Sequence, residues 1–158
     1  MKPNNVTRLL DQRKIPYTAF ELPAEKLGAV EAAQHLGVDL ALVYKTIVVT
    51  RQGKGKPILA LAPGTEEVDL KALSLAVNEK KLVLPTEREA ECLTGLQAGG
   101  ISPLALLNRG FQVVIDSSAR DHKEIYISGG QRGLNISLPV SALIELTGAS
   151  VQNITRKQ

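Results

Sequence analysis

The sequence predicts an α+β fold with a mixed, curled sheet, and three observations carry that prediction. About seven short β-rich runs alternate with amphipathic helices, several runs are joined by Gly-rich hairpin loops, and their spacing is too irregular for a doubly wound sheet. The 158 residues, 44% of them hydrophobic, suffice for one domain with a substantial core, expected to span residues 1–158. Only 3% are aromatic and Trp is absent, so Leu, Ile, Val and Ala must fill that core. A sheet that reads RNA by base stacking is not expected.

The strand signals start with residues 17–22, where Tyr17, Ala19 and Phe20 sit in an alternating run that Pro23 stops. Residues 43–50 are the strongest run. Val43, Ile47, Val48 and Val49 are apolar on both faces, as in a central strand. Lys45 stands at its start, where an ammonium either snorkels to water or is held in a cleft to meet an anion. Arg51, Lys54 and Lys56 mark a basic hairpin loop before the strand at 58–62; a solvated tip and an RNA contact both explain it. Further strands are read at 80–84, 111–116, 124–127 and 135–138.

Helices are signalled by caps. Asn5 opens a helix over residues 6–14, and Pro16 follows it. Gly37 closes a helix that begins near Gly28, and Asp69 caps the next, over residues 70–77. Thr86 and Glu89 form a capping box for a helix over 87–93 that Gly95 ends, with Cys92 taken as a small core residue in it. Pro139 opens the last helix, with Gly148 after it.

Charge and rare residues exclude several classes. Nineteen Lys+Arg against 16 Asp+Glu give +3, a mild bias that tolerates a nucleic-acid partner without requiring one. One Cys and two His allow no intrachain disulfide and no zinc site, so neither metal nor other cofactor is expected. No apolar run approaches the ~18 residues of a membrane span, and the first residues lack a signal core, so a soluble, cytoplasmic protein is expected.

Two Gly-rich stretches remain. In Gly99-Gly100-Ile101-Ser102-Pro103-Leu104 the glycines let backbone approach a ligand or serve a tight turn, and Ser102-Pro103 has the pattern of a cap followed by Pro at the first helical position. Ser128-Gly129-Gly130-Gln131-Arg132-Gly133 is a turn carrying a hydroxyl and a cation.

Together with Tyr44-Lys45-Thr46, these stretches resemble the YbaK/EbsC family in order and spacing, over nearly the whole chain. These are free-standing relatives of the editing domain inserted in bacterial prolyl-tRNA synthetases. The resemblance implies a barrel-like sheet of six or seven strands surrounded by helices. It also implies a deacylase acting on misacylated tRNA, above all cysteine on proline tRNA, released as a cyclic thiolactone by its own thiol. The enzyme then needs no nucleophile of its own. On this resemblance Lys45 is the catalytic residue, gripping the terminal ribose-phosphate or the developing oxyanion. Gly99, Gly100, Ile101 and Ser102 present the loop to the aminoacyl group, and Ser128, Gly129 and Gly130 position it. Asn135 stands where the family carries Asp, and Ala105 where it carries Gly, so deacylation is specified more closely than cysteine. Aminoacyl-tRNA is the implied substrate and prolyl-tRNA synthetase the implied partner in choosing it. The alternatives are a deacylase for alanine or serine, and a non-catalytic adaptor for tRNA or synthetase.

Overall fold

Strand β2 (Tyr44–Arg51) forms the predicted hairpin with β3 (Ile58–Pro63), antiparallel from Tyr44 opposite Pro63 to Val49 opposite Ile58. The structure is a computed structural model describing residues 2–158. All six residues of β3 are buried, which matches their unbroken apolar run. β3 pairs in parallel with β6 (Gln112–Asp116), and β6 in parallel with β9 (Ser150–Gln152). On the other side of β2, β5 (Leu82–Val83) pairs only with Thr50 and Arg51. The first half of β2 is therefore left open on that flank.

A second, antiparallel sheet has the order β1 (Thr18–Glu21), β8 (Leu134–Pro139), β7 (Glu124–Ser128). One parallel bridge, Val43 to Tyr126, joins it to the mouth of β2. β4 (Glu66–Val68) and β10 (Thr155–Lys157) form a separate pair. Among the described residues five α-helices surround the sheets: α1 (Asn5–Gln12), α2 (Ala29–Leu36), α3 (Leu70–Val77), α4 (Glu87–Thr94) and α5 (Val140–Thr147).

The five-stranded sheet is buried on both faces. Tyr44, Val48, Leu59, Leu61 and Ile115 pack with Leu10 of α1, Leu143 of α5 and Ile125, Ile127, Ile136 and Leu138 of the second sheet. On the opposite face Val49, Ile58, Ala60 and Val114 pack with Leu73 of α3 and Ile154. Among the described residues no helix is long and apolar enough to cross a membrane.

Several expectations are corrected. Among the described residues there are ten strands, because β4, β9 and β10 are three-residue pieces whose pairing is tertiary. Where one curled, barrel-like sheet was expected, the strands pair as open sheets of five, three and two. The cap of α1 is Asn4, whose side chain accepts from Thr7 N while Thr7 Oγ1 accepts from Asn4 N; Asn5 is the first helical residue. That helix stops at Gln12, ahead of Pro16, and Lys14 adopts φ 56°. Cys92 is exposed, because α4 buries Ala90 and Thr94, four residues apart, and turns Cys92 outward. The loop cations do not act as one patch: Arg51 turns inward to Glu79 at 2.7 Å and to the Lys56 carbonyl at 2.8 Å.

Candidate functional site

The open flank of β2 is one wall of a cleft of about 500 Å3. The second sheet and the Gly99 loop form the facing wall, and residues at the start of α2 and α4 contribute to its rim. Lys45, Gly99, Ile101, Ser128 and Asn135 all line it, so residues far apart in sequence share one hollow.

Lys45 is partly buried and makes no hydrogen bond or ion pair among the described residues. Burial lowers its pKa below the ordinary lysine value, and the Glu67 carboxylate works in the opposite direction. Glu67 is itself paired with Arg156 at 3.0 Å, which limits its hold on Lys45. The ammonium is thus partly desolvated without a direct partner, a state suited to receiving an anionic group.

Two further residues that line the hollow, Thr46 and Asn135, each bury a polar atom without a partner among the described residues, Oγ1 and Oδ1. Asn135 is 7% exposed, in a row across the second sheet with Phe20 on one side and Ser128 on the other. A buried acceptor without a donor costs roughly 1–3 kcal/mol, so the pair marks a place where a ligand supplies the missing hydrogen bonds.

The two Gly turns support each other. A Cβ on Gly100 would stand 2.9 Å from Gln131 Cα and 3.0 Å from Arg132 N, so only glycine permits the backbones to touch there. Arg132 Nε donates to the Ala98 carbonyl at 2.7 Å and holds the loop from the other side. Gly100 N donates to Gln97 O at 2.8 Å, whereas the N–H groups of Gly99 and Ile101 have no acceptor among the described residues. Ser128 Oγ donates to Gly99 O at 3.4 Å and accepts from Gly130 N at 3.3 Å, joining the turns at the cleft wall.

Gly100, Ser102, Gly129 and Gly130 lie behind the wall. Ser102 is fully buried and caps a short 3-10 helix, Pro103–Leu106, by accepting from Leu104 N at 3.2 Å. Gly129 N closes the hairpin onto Leu134 O at 2.8 Å, and Gly130 packs against Val6 of α1. Asn4 Nδ2 donates to Gly129 O at 3.0 Å, so the first helix cap also pins this turn. Thr46, Leu84 and Glu87 line the cleft and were not anticipated. The one signal for Thr46 was a hydroxyl inside an otherwise apolar β-run; Leu84 and Glu87 carried none.

No cysteine or histidine lines the cleft, and among the described residues none of its hydroxyls, Tyr44, Thr46 and Ser128, is hydrogen-bonded to a carboxylate or imidazole; Tyr44 OH bonds to Ser118 Oγ at 2.7 Å. Such a lining suits binding an anionic, donor-bearing group and stabilising charge on it.

The chain is similar to several known proteins. A candidate Cys-tRNA(Pro)/Cys-tRNA(Cys) deacylase, EbsC, of Enterococcus faecalis is 32% identical over 156 residues, covering 98% of this chain and 94% of that protein. A proline–tRNA ligase of Acidithiobacillus ferrooxidans is 30% identical over 95 residues, which are 60% of this chain and 16% of the ligase. The crystal structure of a candidate trans-editing enzyme for prolyl tRNA synthetase has TM-score 0.80 at 25% identity, covering 99% of each chain. That of a hypothetical protein has TM-score 0.88 at 24% identity, covering 97% of this chain and 100% of that one, and shows the same fold. The model of the aminoacyl-tRNA editing domain matches residues 24–146, and with the near full-length likeness to EbsC this places the chain in the aminoacyl-tRNA editing domain family.

Proposed function

We propose that the chain is a trans-editing deacylase that frees tRNA from a wrongly attached amino acid, with Cys-tRNA(Pro) as its substrate. The observation that carries the reading is the unpartnered, half-buried Lys45 sharing one cleft with the orphaned Thr46 Oγ1 and Asn135 Oδ1, in the absence of any activated nucleophile. Such a site suits a substrate that attacks itself. The cysteine Sγ adds to its own ester carbonyl, the bond from that carbon to the ribose oxygen breaks, and the thiol proton ends on the ribose oxygen. The products are a four-membered thiolactone and tRNA with a free terminal hydroxyl.

In this reaction Lys45 and the N–H groups of Gly99 and Ile101 hold charge developing on the carbonyl oxygen or the ribose-phosphate. Asn135 Oδ1 accepts from the substrate ammonium and Thr46 from a ribose hydroxyl. Ser128, Gly129 and Gly130 keep the turn in register, while Gly100 and Ser102 shape the facing loop from behind. The name of the E. faecalis relative supports the choice of cysteine. Asn135, neutral where a carboxylate is the family pattern, favours weighing a small residue such as alanine or serine as the second substrate. Prolyl-tRNA synthetase is the proposed source of tRNA choice, in the cytoplasm.

Deacylation of a panel of aminoacyl-tRNAs decides among these readings. Release of cysteine but not serine from the same tRNA is expected, and equal rates would exclude the thiol-assisted route. No cleavage of any ester at high protein concentration would leave the adaptor reading in place.

A further inference from the structure

The end of the five-stranded sheet away from Lys45 carries a concentration of free cations. Lys54 is in the β2–β3 loop, and Lys80 and Lys81 precede β5; all three are exposed and unpaired among the described residues. They are brought together by the Gln52 N–H, which donates to the Lys81 carbonyl at 3.4 Å. Lys56 and Arg109 stand beside them over the Phe111 ring, at 5.5 and 5.9 Å from its centre. The nearest carboxylate in this corner, Glu79, is taken by Arg51.

This corner is continuous with the cleft. β5 runs antiparallel to β2, with Leu82 opposite Arg51 and Val83 opposite Thr50, so the chain leads from Lys81 to Leu84 in ~10 Å of extended backbone. Val83 and Leu84 are 44% and 53% exposed, and Leu84 lines the cleft itself. Cations on the other walls are engaged, Lys26 with Glu87 at 3.1 Å and Arg132 with Glu91 at 4.0 Å. Along β5 a path leaves the cleft over exposed apolar surface and arrives at unpaired positive charge.

We propose that this strip, Leu84 and Val83 followed by Lys81, Lys80 and Lys54, is the track for the RNA strand that carries the acyl group. Unpaired nucleotides next to the ester lie over the apolar part, and phosphates further along meet the lysines. The inference rests on the proposed function, since it takes the acylated end to occupy the cleft.

The test measures binding of uncharged tRNA by fluorescence anisotropy across a salt series, which needs no turnover and so stays decisive if the deacylase reading fails. The triple variant Lys54→Gln, Lys80→Gln, Lys81→Gln should weaken binding about tenfold at low salt and reduce the slope of log affinity against log salt by roughly 2 to 3. The corresponding triple Lys→Arg variant should keep both, which separates charge from folding. Release of the amino acid from a cysteinyl-adenosine fragment, which lacks the distant phosphates, should be unchanged in the Gln triple. An unaltered slope, an equal loss on the fragment, or no measurable binding by the wild type would overturn the proposal. So would loss of synthetase binding with an intact tRNA slope, which would make the strip a protein-docking surface.

Discussion

Asp116 and Asn135 are both buried polar residues on strands, 2% and 7% exposed, yet their surroundings are opposite. Asp116 Oδ1 accepts from Ile154 N and Thr155 Oγ1, both at 3.0 Å, and its Oδ2 accepts from Ser118 N at 3.2 Å. It ties the end of β6 to the C-terminal strands. Asn135 lines a cleft, and its Oδ1 has no partner among the described residues. A buried polar group whose bonds close inside the protein serves the fold; one whose bonds stay open is held for something else.

That contrast can be broken or sharpened by substitution. The largest effect is expected at Lys45, where Lys45→Ala should lower deacylation by at least about 100-fold. Because the ammonium is partly desolvated and unpaired, the same change should leave the thermal midpoint intact. A comparable activity loss with unfolding would assign Lys45 to structure. Asp116→Ala should do the reverse, costing about 3 kcal/mol in denaturant titration while the folded fraction retains its activity. Asn135→Leu should raise KM about tenfold with stability unchanged or higher by up to ~1 kcal/mol, since it removes an orphan rather than a bond. If Asn135→Leu destabilised the protein as Asp116→Ala does, the distinction between the two sites would fail.

The smallest effect is in pH dependence. In the proposed reaction Lys45 serves as a cation, and burial lowers its pKa, so activity should decline on the alkaline side earlier than an exposed lysine would dictate. The sign for stability is opposite: the cost of burying the charge is present below the folded pKa and relieved above it, so this residue makes the fold more stable as pH rises. Lys45→Arg should remove the alkaline limb from the pH–rate profile.

The legible parts of this chain are local. Asp69, the Thr86–Glu89 box and the glycines at 37, 95 and 148 mark helix ends in the structure as they do in the sequence, because each cap is closed by neighbours within a few residues. Choosing Asn4 over Asn5 needed one more local clue, Thr7 three residues on, which only Asn4 can use for a capping box. What was illegible is tertiary. Glu66-Glu67-Val68 is too short and too charged to signal a strand until Thr155, Arg156 and Lys157 lie opposite it. The Gly99 loop and the Ser128 turn were both recognisable as backbone approaching something closely. That the something is largely each other follows only from the contact of Gly100 with Gln131. Ser102 shows the same division: its role as a cap is written locally, and its burial away from the cleft is not.

The pairing of β1 with β8 places Phe20 opposite Asn135 and Glu21 opposite Leu134. Those partners are separated by more than two thirds of the chain, so the first strand has no mate while a ribosome is still making the middle. The wall that carries Asn135 cannot be completed until β8 has been made. The cleft is thus walled by strands made more than a hundred residues apart, and it takes shape only after both have been made.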